Sequence, residues 1–396
     1  MEWSRNEDNW NVPILSWCPN VERVAMEQAI ALACHPVIAN HVALMPDVHP
    51  GYGMPIGGVI ACDNAVIPNA VGVDIGCGMR AVATDIPVDM ITPGQIAAII
   101  TDIKRTIPVG YHHHKDDQRW SGFDDAPGVM VIQAELASAR KQLGTLGGGN
   151  HFIEIQAGDD GYIWVMIHSG SRNFGLKIAD HFNKRAMNLC NQWHSELPSD
   201  DLAFLPTASD SGKTYIVAIQ YAMRFAEASR KAMMGAVLRI IAHRVDGKAV
   251  STLDVHHNFA AIEHHFGKDL WIHRKGAILI RKDDLGIIPG SQGTPSYIVR
   301  GLGNADSYHS CSHGAGRTMG RKDFSRTHTL EDCEKEMDGI LFDGYGLDRD
   351  GGIDLSEAPS AYKNIDKVIA EEADIVEVVV KLLPLGSVKD IRRPRL

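Results

Sequence analysis

A chain of 396 residues that is 44% hydrophobic can bury a large core, and its length alone permits two or three domains. No apolar run reaches the roughly eighteen residues that a membrane-spanning helix needs, and the polar start MEWSRNEDNW has no apolar stretch of signal-peptide type. A net charge of −10 argues against coating nucleic acid through the whole surface, though not against gripping a few phosphates in one local groove.

Seven cysteines (18, 34, 62, 77, 190, 311 and 333) form no C-x-x-C pair. A scattered, odd set fits reduced thiols and a cytoplasmic protein, in which a special cysteine binds metal or reacts. Short basic pairs stand at Lys184-Arg185, Arg274-Lys275, Arg281-Lys282, Arg321-Lys322 and Arg392-Arg393; solvated faces account for most of them.

Glycine-rich turns joined to short apolar runs recur from about residue 44 to 317 and alternate with helix-like stretches. The first chemical signal in chain order is Val-Asp74-Ile-Gly-Cys77-Gly, a carboxylate and a thiol three residues apart among glycines that let the backbone fold around an ion. Next, Tyr111-His112-His113-His114-Lys115 reads as an exposed polar loop, with a substrate-phosphate contact as the alternative. A glycine loop then delivers Asn150 and His151. Residues 163–167 (IWVMI) predict a buried strand that His168 caps before a Ser-Gly-Ser turn.

Apolar residues at Ile219, Ala222, Met223, Ala226, Met233, Val237 and Ile240 predict a long amphipathic helix over 214–243, its methionines filling core. His256, His257 and Asn258 follow. Residues 271–280 predict a strand kinked at Gly276, and 362–383 a helix or helix pair before a basic tail. With no linker in view, residues 1–396 read as one compact α+β domain.

Asp74, Cys77, His151, His168 and the adjacent pair His256 and His257 offer mixed O, S and N donors. That set suits Mn, Zn, Fe or Co better than Ca or Mg, and a thiolate can bridge two ions. Residues 287–294 (IIPGSQGT) and 312–317 (SHGAGR) expose runs of backbone N–H groups fit for phosphate oxygens, with Arg317 adding charge. Neither is a Walker loop. Inside the second, His313 is open to three roles: metal ligand, general base, or nucleophile forming a phosphoramidate.

Taken together these stretches resemble the RtcB family of RNA ligases. The resemblance runs in order through MPDVHPGYGMPIGGV (45–59), AVGVDIGCGM (70–79), LGTLGGGNHFIEI (143–155), HSGSRNFG (168–175), HHNFA (256–260), RKGAI (274–278), IPGSQGTPSYIVRGLGN (288–304), CSHGAGR (311–317) and AYKNID (361–366). It implies an α+β fold with mixed and antiparallel sheets flanked by helices around a central metal-binding cleft.

The resemblance further implies two Mn²⁺ ions. Asp74, Cys77 and His151 would hold one, and Cys77, His168 and His257 the other; His257 is chosen over His256 because the motif's histidine directly precedes Asn. His313 matches the histidine that becomes guanylylated. Asn150, Glu154, Asn258, Pro289, Gly290, Ser291, Gln292, Ser296, Gly314, Ala315, Gly316 and Lys389 match GTP and GMP contacts, with Arg317 and Tyr362 nearby. The implied activity uses GTP to join RNA 3′-phosphate or 2′,3′-cyclic phosphate ends to 5′-hydroxyl ends, in tRNA splicing or RNA repair, with room for an archease-like activator. The alternative is a dinuclear phosphoesterase acting only on RNA terminal phosphates, which needs neither His313 as nucleophile nor Lys389 as anchor; a third is an RNA-binding accessory with a dead site.

Two departures stand out. Gly51-Tyr52-Gly53 replaces a common Gly-Lys-Gly, which marks a subgroup. Residues 346–357 (GLDRDGGIDLSE) imitate a calcium loop through Asp348, Asp350, Gly351, Asp354 and Glu357, but position one is Gly346 rather than Asp.

Overall fold

A computed structural model describes residues 1–391; the Arg392-Arg393 pair lies outside the described residues. Two large sheets carry the α+β fold. In spatial order, the six-stranded sheet runs Trp3–Arg5, Ile14–Ser16, Ile38–His49, Ile56–Cys62, Lys268–Lys275 and Asn258–His265. The seven-stranded sheet runs Ala249–His256, Gly78–Pro87, Tyr162–Ser169, Phe152–Gly158, Val376–Val388, Ser296–Gly301 and Leu285–Ile288. Pairing is antiparallel except between Ile14–Ser16 and Ile38–His49, so the six-stranded sheet is mixed.

The strand expected at 163–167 extends over Tyr162–Ser169, central in its sheet, which is why it reads as a continuous apolar run. The long helix spans Asp210–Ala242. Ser209 caps it by accepting the Gly212 N–H, and Ile219, Ala222, Ala226, Met233 and Val237 are buried as the spacing predicts. It packs with the Pro93–Thr106 helix against one face of the seven-stranded sheet.

The kink at Gly276 is present: Lys268–Lys275 and Ala277–Leu279 are separate strands joined by a glycine with φ +66°. The second strand turns away to pair with Ser310–Ser312. That change of partner sets the position of His313.

The expected helix over 362–383 is corrected. Only Ile365–Glu371 is helical, and Val376–Val388 is a strand between Phe152–Gly158 and Ser296–Gly301. Its β-branched run Val378-Val379-Val380 suits a pleated surface better than a helix. The basic pair Arg274-Lys275 is not a solvated face. Arg274 is fully buried in an ion pair with Glu263, and Lys275 is buried with its ammonium donating to the carbonyls of Tyr52 and Asn69.

Candidate metal and nucleotide centre

The donor residues meet because they occupy one end of the seven-stranded sheet. Cys77 immediately precedes the Gly78–Pro87 strand, His151 precedes Phe152–Gly158, and His257 follows Ala249–His256. Register sets Met79 and Phe152 opposite His168, and His256 opposite Gly78. The His257 N–H also donates to Cys77 O at 2.8 Å. Asp74 reaches in from the preceding turn, past Gly170, where an added Cβ would lie 2.2 Å from its Oδ1.

The Nδ1 atoms of His151 and His168 lie 3.1 Å from the carbonyl oxygens of Leu146 and Asn150. A carbonyl only accepts, so each Nδ1 carries the proton and each Nε2 presents a lone pair. Those lone pairs face Cys77 Sγ at 3.4 and 3.3 Å. Asp74 Oδ2 sits 3.0 Å from His151 Nε2, and His257 Nε2 sits 3.4 Å from His168 Nε2.

Converging lone pairs repel unless a cation lies among them. Burial, then Asp74, push the Cys77 thiol well above its ordinary range. Burial, then neighbouring histidines, hold His168 and His257 well below theirs, in the neutral ligand form. A divalent ion would draw the thiol to thiolate. The donor set therefore fits a transition metal, with Cys77, His151 and His168 close enough to share one ion.

His313 stands beside this cluster, its ring 4.9 Å from that of His257. It follows the Ser310–Ser312 strand and packs against Gly276, where an added Cβ would lie 2.9 Å from His313 Cε1. Its Nδ1 lies 2.6 Å from Oδ2 of Asp47, which is fully buried and also accepts the His313 N–H at 3.2 Å. The two atoms are within ion-pair distance although the ring N–H is not aligned on the oxygen, so the buried carboxylate favours a proton on the Nδ1 side of the ring. Nε2 is left for chemistry.

Asp47, in the Ile38–His49 strand, is the functional residue that spacing alone missed. His49 is a second, its ring lining the cavity with Nδ1 2.9 Å from Asp47 O.

A cavity of about 340 Å³ opens from His168 and His313. Asn150, Pro289, Gly290, Ser291, Gln292, Gly314, Ala315, Gly316, Arg317, Tyr362 and Lys389 border it, as the sequence groups them. Glu154 and Ser296 lie behind the wall, joined through Gln156 Nε2 at 2.8 and 3.2 Å. Burial raises the Glu154 carboxyl to about 7 against the pull of Lys389. Asn258 faces inward as a brace, donating to Asp74 O and accepting the Gly276 N–H.

Glu357 joins the cavity rather than a calcium loop. Its carboxylate pairs with Lys389 at 2.6 Å, with Arg321, and with the Tyr362 hydroxyl at 2.8 Å. These partners hold its carboxyl down at about 2 although burial opposes it. Position twelve of the calcium pattern is thus already engaged. Arg321, from one of the short basic pairs, borders the cavity.

Behind His313, Glu372 is fully buried and accepts the Ser312 N–H at 2.9 Å. Burial, and after it Asp47, push its carboxyl up to about 8, overriding the stabilising N–H. A raised carboxyl pKa means the folded chain keeps a proton that the unfolded chain releases. Stability tied to this group is therefore lost as pH climbs from about 4.5 to about 8. The Glu372→Gln variant is expected to match the wild type in melting temperature near pH 5 and to exceed it by roughly 2 °C or more near pH 8.5; a pH-independent difference in thermal melts would refute the protonated Glu372.

Comparison with known proteins shows the family. Residues 28–137 and 121–390 match the family model described as tRNA-splicing ligase RtcB. RNA-splicing ligase RtcB of Escherichia coli K12 is 36% identical, over 96% of this chain and 98% of that one. The tRNA-splicing ligase RtcB of Pyrobaculum aerophilum is 31% identical over 92% and 91%, and RNA-splicing ligase RtcB of Mycobacterium tuberculosis 29% over 91% and 100%. A family match over most of the chain, with a relative this similar end to end, shows that the chain belongs to the RtcB family.

Proposed function

We propose that this chain is a GTP-dependent RNA ligase, one domain acting in the cytoplasm, that joins RNA 3′-phosphate or 2′,3′-cyclic phosphate ends to 5′-hydroxyl ends during tRNA splicing or RNA repair. The observation that carries the reading is His313: its Nδ1 is braced by buried Asp47, and its ring stands between the donor cluster and the cavity. A metal-dependent hydrolase that activates water needs no covalent histidine, whereas nucleotidyl transfer does.

In the proposed sequence, His313 Nε2 attacks the α-phosphorus of GTP, an N–P bond forms, and pyrophosphate leaves with the broken P–O bond. The growing positive charge on the imidazole is balanced by Asp47. An oxygen of the RNA 3′-phosphate then takes the guanylyl group and frees His313. A 5′-hydroxyl attacks the activated phosphate, loses its proton, and GMP departs. A cyclic end is first opened by water to the 3′-phosphate. The two Mn²⁺ ions, held by Asp74, Cys77 and His151 and by Cys77, His168 and His257, would polarise phosphoryl oxygens and lower the pKa of attacking groups.

For the nucleotide, the 288–292 and 314–316 backbone would meet phosphates and sugar, Lys389 on the cavity wall offers a donor suited to guanine, and Glu154 behind it would reach guanine only if the wall yields. The test is incubation with Mn²⁺ and α-labelled GTP, with an archease-type activator added. Covalent label is expected on the wild type and absent from His313→Ala. An unlabelled wild type would sink the ligase reading in favour of a phosphoesterase.

A further inference from the structure

Asp47 lies on an irregular stretch of an otherwise regular strand. Within Ile38–His49, Leu44 pairs with Gly58 but His49 pairs with Ile56, so Met45 to Val48 bulge opposite Gly57 alone. Extra chain on one side of a pair bends the strand and re-aims its side chains. It also takes backbone carbonyls out of the ladder. Pro46, Asp47 and Val48 are all buried, and a buried carbonyl needs a donor from elsewhere.

Side chains supply those donors. His49 Nδ1 lies 2.9 Å from Asp47 O, and the Lys363 ammonium donates to the carbonyls on either side, Pro46 O at 3.0 Å and Val48 O at 2.7 Å. Cys18 Sγ, at 3.8 Å, takes its remaining N–H. Lys363 is also tied by its main chain, whose N–H donates to Gly316 O at 2.9 Å. Gly316 belongs to the loop that begins at His313, and it crosses Asp47 so closely that an added Cβ would lie 2.2 Å from Asp47 O. One residue therefore fastens the strand that carries Asp47 to the loop that carries His313.

Charge matters here as well as geometry. Hydrogen bonds from a charged donor are roughly twice as strong as neutral ones. Lys363 therefore holds the bulge more firmly than an amide or a hydroxyl could, and it places a positive charge behind the buried Asp47 residue. The bulge ends at the cavity, which His49 lines directly after Val48. A misplacement of about 1 Å at a reacting centre can cost on the order of 10² in rate.

We propose that Lys363 is a positioning residue for His313 and acts through Asp47, holding the bulge in the shape that sets the Asp47 carboxylate beside Nδ1. Its consequence for guanylylation rests on the ligase reading; its effect on the ring of His313 does not. Lys363 touches neither nucleotide nor metal in this role, so its loss should slow the attack by His313 without weakening the binding of GTP or Mn²⁺.

The experiment uses the full chain with Mn²⁺ and α-labelled GTP, in single turnover. Lys363→Met removes the ammonium and nearly keeps the length; it is expected to slow labelling by about 10- to 100-fold. Its GTP Kd should stay within about threefold of wild type, and its Mn²⁺-dependent rise in melting temperature should persist. Lys363→Arg, which can still donate to both carbonyls, should recover most of the rate. In an Asp47→Asn background, Lys363→Met should slow labelling by no more than about twofold further, because residues that act as a unit are not additive. Full additivity, a Lys363→Met rate within about twofold of wild type, or a loss that appears only in the GTP Kd would overturn the inference. If Lys363→Met does not melt cooperatively, Lys363→Gln, which can donate to one carbonyl, takes its place under the same criteria. Nitrogen NMR of the His313 ring, assigned by difference from His313→Ala, gives a readout free of ligation. The Nδ1-protonated tautomer should dominate in the wild type and share the ring with the Nε2-protonated form in Lys363→Met; an unchanged ring spectrum would also overturn the inference. If the wild type takes no label, the ligase reading falls and the ring spectra still decide this inference. If label forms and Lys363→Met labels normally, only this inference falls.

Discussion

Replacing Asp47 with Asn is expected to slow guanylylation of His313 by about 10²- to 10⁴-fold with little change in GTP affinity. The carboxylate can only accept from Nδ1, which fixes the proton there and the lone pair on Nε2. An amide of the same shape can donate its own N–H to Nδ1. The ring then settles in the other tautomer, with Nε2 protonated and unable to attack. Asp47 is fully buried, so no water is at hand to replace its bond. It also accepts the His313 backbone N–H, so Asp47→Ala would loosen the loop besides freeing the ring. Single-turnover labelling with α-labelled GTP beside equilibrium GTP binding separates the two effects. Labelling of Asp47→Asn within about threefold of wild type would show that Nδ1 needs no acceptor.

How far this centre could be read from the sequence depended on where each residue's partner lies. Cys77, His151, His168 and His257 were legible because each sits at the edge of a glycine turn or apolar strand, and a polar donor in such a place calls for a reason. Asp47 was not, because its partner lies 266 positions away and its own strand reads as ordinary core. Glu357 suffered the opposite fault. A local pattern placed it in a calcium-like loop that Gly346 at position one already counted against, while its actual partners, Arg321, Tyr362 and Lys389, come together only in the folded chain. Arg274 and Lys275 show the same limit, since adjacent charges in sequence say nothing about a buried Glu263 or two waiting carbonyls. The strand at Val376–Val388 was misread where β-branched residues should have outweighed spacing.

Cys77 is where the strongest thermodynamic signal should appear. Its sulfur lies within 3.4 Å of the Nε2 atoms of both His151 and His168, so it is the donor common to both proposed ion sites. Mn²⁺ at about a hundred times its Kd would stabilise the wild type by roughly 2.7 kcal/mol for one site, and more if both fill. Cys77→Ser keeps the size but gives up the soft, ionisable ligand, and a hydroxyl beside Asp74 has little tendency to ionise. The metal-dependent rise in melting temperature should therefore largely vanish in the variant.

Without metal the sign differs. The buried thiol contributes no charge pairing to the fold, and burial with Asp74 already keeps it protonated. Metal-free Cys77→Ser should then melt within about 1 kcal/mol of metal-free wild type. Melts with chelator and with added Mn²⁺ form a two-by-two comparison that needs no assay of ligation. If the variant kept the full Mn²⁺ stabilisation, Cys77 would not be a ligand. If it lost stability equally with and without metal, its role would be packing alone. The expected result is a loss confined to the metal-loaded protein, because the lone pairs gathered at the sheet end stabilise nothing until a cation stands among them.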